Sequence, residues 1–166
     1  MTATDTIHAT CVAFSDIGVL LRGPPGAGKS DLGLRLIEAG ARLVADDRVR
    51  LAVEEGVLQA SPPEEIAGLI ELRGIGLARL PNIPRVSIYL VVDLSLSGMP
   101  ERLPLKAWWE CFGVRVRRVE LAPFEQTAVA KIRIAAYDAS GRADPVTRAR
   151  SQDPEDPEMR MDRQHD

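Results

Sequence analysis

Aromatic side chains are scarce in this chain. Three Phe, two Tyr and two Trp make up 4 % of its 166 residues, so a buried interior has to be filled by Leu, Val, Ile and Ala. Cysteine is scarcer: Cys11 and Cys111 stand far apart, in no Cys-x-x-Cys or Cys/His pattern. That argues against a disulfide framework or a zinc site and for two incidental thiols in a reduced, cytoplasmic protein. Neither charge sign dominates. With 21 Lys and Arg against 24 Asp and Glu, the formal net charge is -3, which gives no general drive toward nucleic acid or an anionic membrane. No apolar run approaches the ~20 residues of a membrane span. The first residues lack a basic segment followed by an apolar one, so no signal peptide is expected. There is no internal repeat.

Hydrophobic residues make up 45 % of the chain, enough for one α/β domain over residues 1–150. From Ser151 the text becomes "SQDPEDPEMRMDRQHD". Rich in charge and without apolar periodicity, residues 151–166 are expected to form a disordered acidic tail.

Residues 10–15, "TCVAFS", and 17–22, "IGVLLR", predict two strands around a turn at Asp16. The second runs into "GPPGAGKS", and "DLGLRLIEAG" then carries a helical apolar face ending at Gly40. "ARLVADDRVRLAVEEG" reads as two strand segments flanking Asp46 and Asp47, with a turn at Gly56 and a returning strand in "VLQA". "SPPEE" is a loop, and "IAGLIELRGIGLARL" is apolar but broken by glycines. "RVSIYLVVDLSL", rich in β-branched residues, is the strongest strand. "GMPERLP" is a turn, "VRVRRVEL" a half-exposed strand, and "TAVAKIRIAAYDA" a helix continuing the run from Phe124.

Strand, Gly-x-x-x-x-Gly-Lys-Ser, helix is a phosphate-binding arrangement. Within the nucleotide-binding loop of Gly23, Pro24, Pro25, Gly26, Ala27 and Gly28, the three glycines would let backbone N–H groups turn toward an anion, helped by the helix N-terminus. Lys29 would reach the β- and γ-phosphates, and the Ser30 hydroxyl would help hold Mg²⁺. The loop alone leaves the chemistry open among a hydrolase, a small-molecule or nucleotide kinase, a kinase acting on a protein, and a nucleotide-binding regulatory module. Asp46 and Asp47 sharpen it. On a strand, adjacent side chains point to opposite faces, so one acid would face metal and phosphates and the other the acceptor. A solvated turn beside Arg48 is the competing reading.

Two segments read together carry a resemblance. "GPPGAGKSDLGLRLIEAGARLVADDRVRL" and "IELRGIG" resemble the HPr kinase/phosphorylase family, in its short form without the N-terminal domain, as in α-proteobacteria. The resemblance implies a mixed-sheet phosphate-loop fold similar to the phosphoenolpyruvate carboxykinase-like kinases. It implies ATP- and Mg²⁺-dependent phosphorylation of a serine on an HPr-like phosphocarrier of the phosphotransferase system, with hexameric association. Phosphate or pyrophosphate would enter in the reverse or an alternative reaction. His8 matches the family's active-site histidine and Lys29 its loop lysine. Asp47 matches the proton acceptor, with Asp46 supporting it. Ser30 and Glu71 match the Mg²⁺ ligands. Residues 70–79, with Arg73, Gly74 and Gly76, match the signature segment, and "PERLP" makes Arg102 the active-site arginine. In two places the chain departs from the family. "LARLPNIPR" is shorter than the glycine-rich stretch of longer members, and "LAPFEQT" lacks the Gly-Arg-Asn loop associated with phosphorylase activity. The resemblance therefore implies the kinase direction more fully than its reverse. The run Arg115, Arg117, Arg118 reads as the exposed face of a strand, or as a surface for an acidic partner.

Overall fold

The computed structural model describes residues 3–96 and 100–150. The expected tail lies outside the described residues, as does part of the turn in "GMPERLP". The chain forms β1 (Thr4–His8), β2 (Thr10–Phe14), β3 (Ile17–Arg22), α1 (Lys29–Glu38), β4 (Arg42–Ala45), β5 (Arg48–Glu54) and β6 (Val57–Ser61). A short 3-10 turn, Glu64–Ile66, precedes β7 (Leu69–Leu72), β8 (Gly76–Arg79), β9 (Val86–Leu94), β10 (Ala107–Cys111), β11 (Val114–Leu121) and α2 (Ala128–Ala139).

Nine strands make one mixed sheet in the order β1-β5-β6-β9-β3-β2-β4, with the β10–β11 pair attached through β11 to β9. Along one edge β9 runs parallel to β3. Its other edge is shared: β6 pairs antiparallel with its first residues and β11 parallel with its last. The strongest strand in the sequence is thus the one that every part of the sheet meets. β7 and β8 form a separate two-stranded ribbon.

Alternation along the strands divides the interior in two. Val12, Phe14, Val19, Leu21, Leu90 and Val92 face α1 and α2, where Leu32, Leu36 and Ile132 complete a cluster. Cys11, Ala13, Leu20 and Val91 face the opposite side, where Val49, Leu51, Leu58 and Val116 cover them. Each fully buried Leu contributes about 1.5–3 kcal/mol relative to exposure. Aliphatic residues fill nearly all of both clusters, as the shortage of aromatics requires.

Two irregularities re-aim the chain. Val12 pairs with Leu43 and Cys11 with Ala45, leaving Val44 as an extra residue in β4 immediately before the Asp46–Asp47 pair. Gly18 pairs with Ile88 and Val19 with Leu90, leaving Tyr89 extra in β9. Such bulges turn a strand locally and redirect the side chains that follow.

Two strands flank Asp46 and Asp47 as expected, and the pair lies in the turn between β4 and β5, so strand alternation does not apply to it. Asp47 has φ 67, in the left-handed region. Other expectations change. β1, β10 and the β7–β8 ribbon were not anticipated, the last because each strand has four residues, too few for a periodicity to show. α2 begins at Ala128 rather than Phe124, because a turn closes first through Ala128 N to Glu125 O at 3.1 Å.

Candidate active site

β3 delivers the glycine-rich loop from the middle of the sheet. Residues 23–28 turn tightly, with Ala27 N donating to Pro24 O at 3.0 Å. Gly28 closes the turn at φ 93 as the N-cap of α1 and supplies no capping side chain. A side chain there would be strained in the left-handed region. It would also collide, since an added Cβ would stand 2.9 Å from Cζ of Phe124. The first-turn N–H groups of α1 are therefore aimed at the loop with no side-chain cap from Gly28, an arrangement suited to an anion. Lys29 lies back along the loop, its Nζ donating to Gly23 O at 2.8 Å and Pro24 O at 3.1 Å.

Asp46 is the hub of the site. It is 3 % exposed, and its carboxylate accepts from Ser30 Oγ at 2.8 and 3.0 Å. It also accepts from Thr10 Oγ1 at 2.7 Å and from the backbone N–H of Glu71 at 3.1 Å. Three segments meet on one buried acid: the start of β2, the start of α1 and the β7–β8 ribbon. A buried carboxylate needs such donors to offset lost hydration.

Asp47 leaves the same turn in the opposite direction. Its side chain is 70 % exposed and that of His8, at the end of β1, 81 %, with His8 Nδ1 3.9 Å from Asp47 Oδ1. The divergence expected of the two acids is present, produced by the turn and not by strand alternation. Glu71 joins the cluster through its backbone N–H, while the residue itself is exposed. Arg73 comes from the tip of the same ribbon, and its Nη2 would stand 3.8 Å from a Cβ on Gly26. Gly74 and Gly76 form that tip at φ 82 and φ 114. Arg102 is exposed in the coil before β10. Among the described residues no hydrogen bond or ion pair joins it to the others.

The basic run on β11 is not a row of idle charges. Arg118 pairs with Asp93 at the end of β9, and Arg22 grips the same carboxylate through Nε at 2.8 Å and Nη2 at 2.9 Å. Arg22 also lies over the Trp109 ring at 4.6 Å, and Arg115 over Trp108 at 4.6 Å. Arg117 donates to Ala107 O at 3.2 Å. Sequence reasoning passed over Thr10 and Phe124. Thr10 carried one signal, a polar residue opening a strand that is otherwise apolar and buried throughout.

Ser30 and Asp46 offer hard oxygen donors side by side, with Glu71 one backbone contact away. This donor set fits Mg²⁺, which takes one or two protein oxygens and leaves its remaining positions to phosphates and water. Among the described residues no group of three His, Cys, Asp or Glu forms a denser metal cage. No helix there is long and apolar enough to cross a membrane.

Residues 1–132 match the HPr Serine kinase C-terminal domain. An HPr kinase/phosphorylase of Geobacillus sp. (strain WCH70) is 41 % identical over 101 residues, 56 % of this chain and 32 % of that protein. The HPr kinase/phosphorylase of Bordetella pertussis is 35 % identical over 130 residues, 71 % of this chain and 42 % of that one. The solved HPr(Ser) kinase/phosphatase of Coxiella burnetii superposes with a TM-score of 0.69 at 28 % identity, covering 77 % of this chain and 91 % of that chain. This chain's matches thus span about a third of the length of the first of these relatives, at 32 %. The match over residues 1–132 takes in every residue of the site described above, and the chain belongs to the HPr Serine kinase C-terminal domain family.

Proposed function

We propose that residues 1–150 form an ATP- and Mg²⁺-dependent protein-serine kinase of phosphate-loop, phosphoenolpyruvate carboxykinase-like fold. Its acceptor is an HPr-like phosphocarrier in the cytoplasm. One observation supports a protein acceptor above all: Asp47, the candidate base, is 70 % exposed beside His8. A serine carried on a folded partner can reach such a group. A small-molecule kinase would enclose it to keep water from the phosphoryl group.

The roles follow from position. Lys29 exchanges the carbonyls of Gly23 and Pro24 for the β- and γ-phosphates. Ser30 and Asp46, with Glu71 completing the set, would hold Mg²⁺, which would supply positive charge to the phosphates. The guanidinium of Arg73, close to Gly26, offers further positive charge on the moving phosphoryl group. Asp47 takes the proton from the acceptor serine, with His8 Nδ1 3.9 Å from its carboxylate. Arg102 is assigned no contact here. The segment "LAPFEQT" packs Phe124 against Gly28, and the kinase direction is the one proposed.

The protein incubated with labelled ATP, Mg²⁺ and an HPr-like phosphocarrier should yield phosphoserine on the carrier. Transfer to nucleoside monophosphates with none to the carrier would overturn the reading.

A further inference from the structure

Phe124 is one of three phenylalanines, and it is 61 % exposed. It does not sit on a loose loop. Arg35, on α1, donates to the carbonyl of Pro123 at 2.6 Å and that of Glu125 at 3.2 Å, so the backbone on both sides of Phe124 is tied to the helix. Pro123 is buried. The Glu125 carboxylate accepts from Thr127 Oγ1 at 3.1 Å and pairs with Lys131. The ring so held reaches the phosphate loop, with Cζ and Cε1 at 2.9 and 3.1 Å from the position a Cβ on Gly28 would take.

The loop therefore has two unlike rims. Ser30, Asp46 and Arg73 make one polar and charged. Phe124 makes the other apolar and flat, backed by the buried Pro123, whose Cβ stands 3.6 Å from the same point. A nucleotide has the matching asymmetry, a polyanion at one end and a planar aromatic base at the other. We propose that Phe124 is the stacking platform for the nucleobase of the phosphoryl donor, held in place before binding by Arg35. This rests on the proposed nucleotide site and adds the subsite that distinguishes a nucleotide from a bare phosphate chain. Stacking uses a π face that every base presents, so ATP and GTP are expected to bind within a few-fold of each other.

Calorimetry on the full chain with ATP and with inorganic tripolyphosphate separates the two rims. Phe124→Ala should weaken ATP about tenfold, the scale of one lost base stack, and leave tripolyphosphate within about twofold. Phe124→Trp should retain ATP affinity, with its added emission quenched by ATP and not by tripolyphosphate. Unchanged ATP affinity in Phe124→Ala would overturn the platform. So would an equal loss for both ligands, which would mean that the ring only braces the loop. Failure of the underlying reading looks different: the unmodified protein would then bind neither ligand. If it binds both equally well, the phosphate site stands and the platform falls.

Discussion

Thr10 donates its hydroxyl to the Asp46 carboxylate at 2.7 Å, with both residues buried. The acid that holds Ser30 at the start of α1 is thereby fixed from the neighbouring strand. Thr10→Val keeps the shape and removes the donor, so Asp46 loses one of its contacts. The expected result is a several-fold rise in the Mg²⁺ concentration needed for ATP binding, and a stability loss of about 1 kcal/mol. Thr10→Ser should restore the Mg²⁺ dependence. Titration of ATP binding against Mg²⁺ checks both.

The same threonine explains a glycine inside a helix. A Cβ on Gly33 would stand 2.8 Å from Thr10 Cγ2. Gly33→Ala should therefore destabilise by about 1–3 kcal/mol through overpacking, although an alanine favours a helix by about 1 kcal/mol. Combining it with Thr10→Ser, which removes the clashing methyl, should recover stability. Additive losses in a double-mutant denaturation cycle would contradict this contact.

Asp47→Asn is a clean test of the proposed base. At φ 67 the position needs a residue that tolerates the left-handed region, and Asn does so at least as well as Asp. Transfer should fall by about 10²–10⁴-fold, the usual contribution of a general base, with ATP affinity within about twofold. Retained transfer would remove Asp47 from the mechanism.

Asp144 makes stability depend on acid. Its side chain is fully buried against Arg133, which donates from Nε at 2.9 Å. Burial by itself would raise its carboxyl, but the Thr147 hydroxyl and N–H and the Arg133 charge outweigh that and hold it below the usual range. A carboxyl lowered on folding contributes stability that is fully present above its unfolded value, about pH 4. That stability is lost as pH falls from there through the folded value. Asp144→Ala should cost about 3–5 kcal/mol at neutral pH and flatten the acid limb of a melting curve.

The two thiols should differ in reactivity. Burial pushes the Cys11 thiol far above its ordinary range, while Cys111 is partly exposed and raised less. An alkylating reagent on the native protein should label Cys111 slowly and Cys11 only after unfolding. Mass spectrometry with and without denaturant reads both.

The sequence and the structure agree where the signal is local and long. β3, the glycine-rich loop, α1 and β9 carry periodicity or spacing that survives into the fold. Asp46 shows what is lost. Its neighbours in space, Thr10 and Glu71, lie 36 and 25 positions away in the chain; the pairing of β2 with β4 and the bulge at Val44 bring Thr10 to it, and the separate β7–β8 ribbon brings Glu71. Nothing within "ADDRV" by itself states which acid turns inward, because a left-handed turn at Asp47 decides it and either residue type permits that turn. Phe124 was invisible for a similar reason. Its importance depends on Arg35, which reaches across from another element to hold its backbone.

The forked pairing of β9 has a consequence for motion. From Leu90 to Asp93 it is paired on both edges, with β3 and with β11, so the amides of that stretch should be the last to exchange with solvent in deuterated water. β3, which delivers the glycine-rich loop, lies between β9 and β2 and shares that protection. His8 ends an edge strand, and Glu71 and Arg73 belong to a ribbon that has two strands among the described residues, the kind of element that opens first. The nucleotide would thus meet a stiff anvil, while the groups facing the partner protein fluctuate enough to fit a surface that arrives with its own shape.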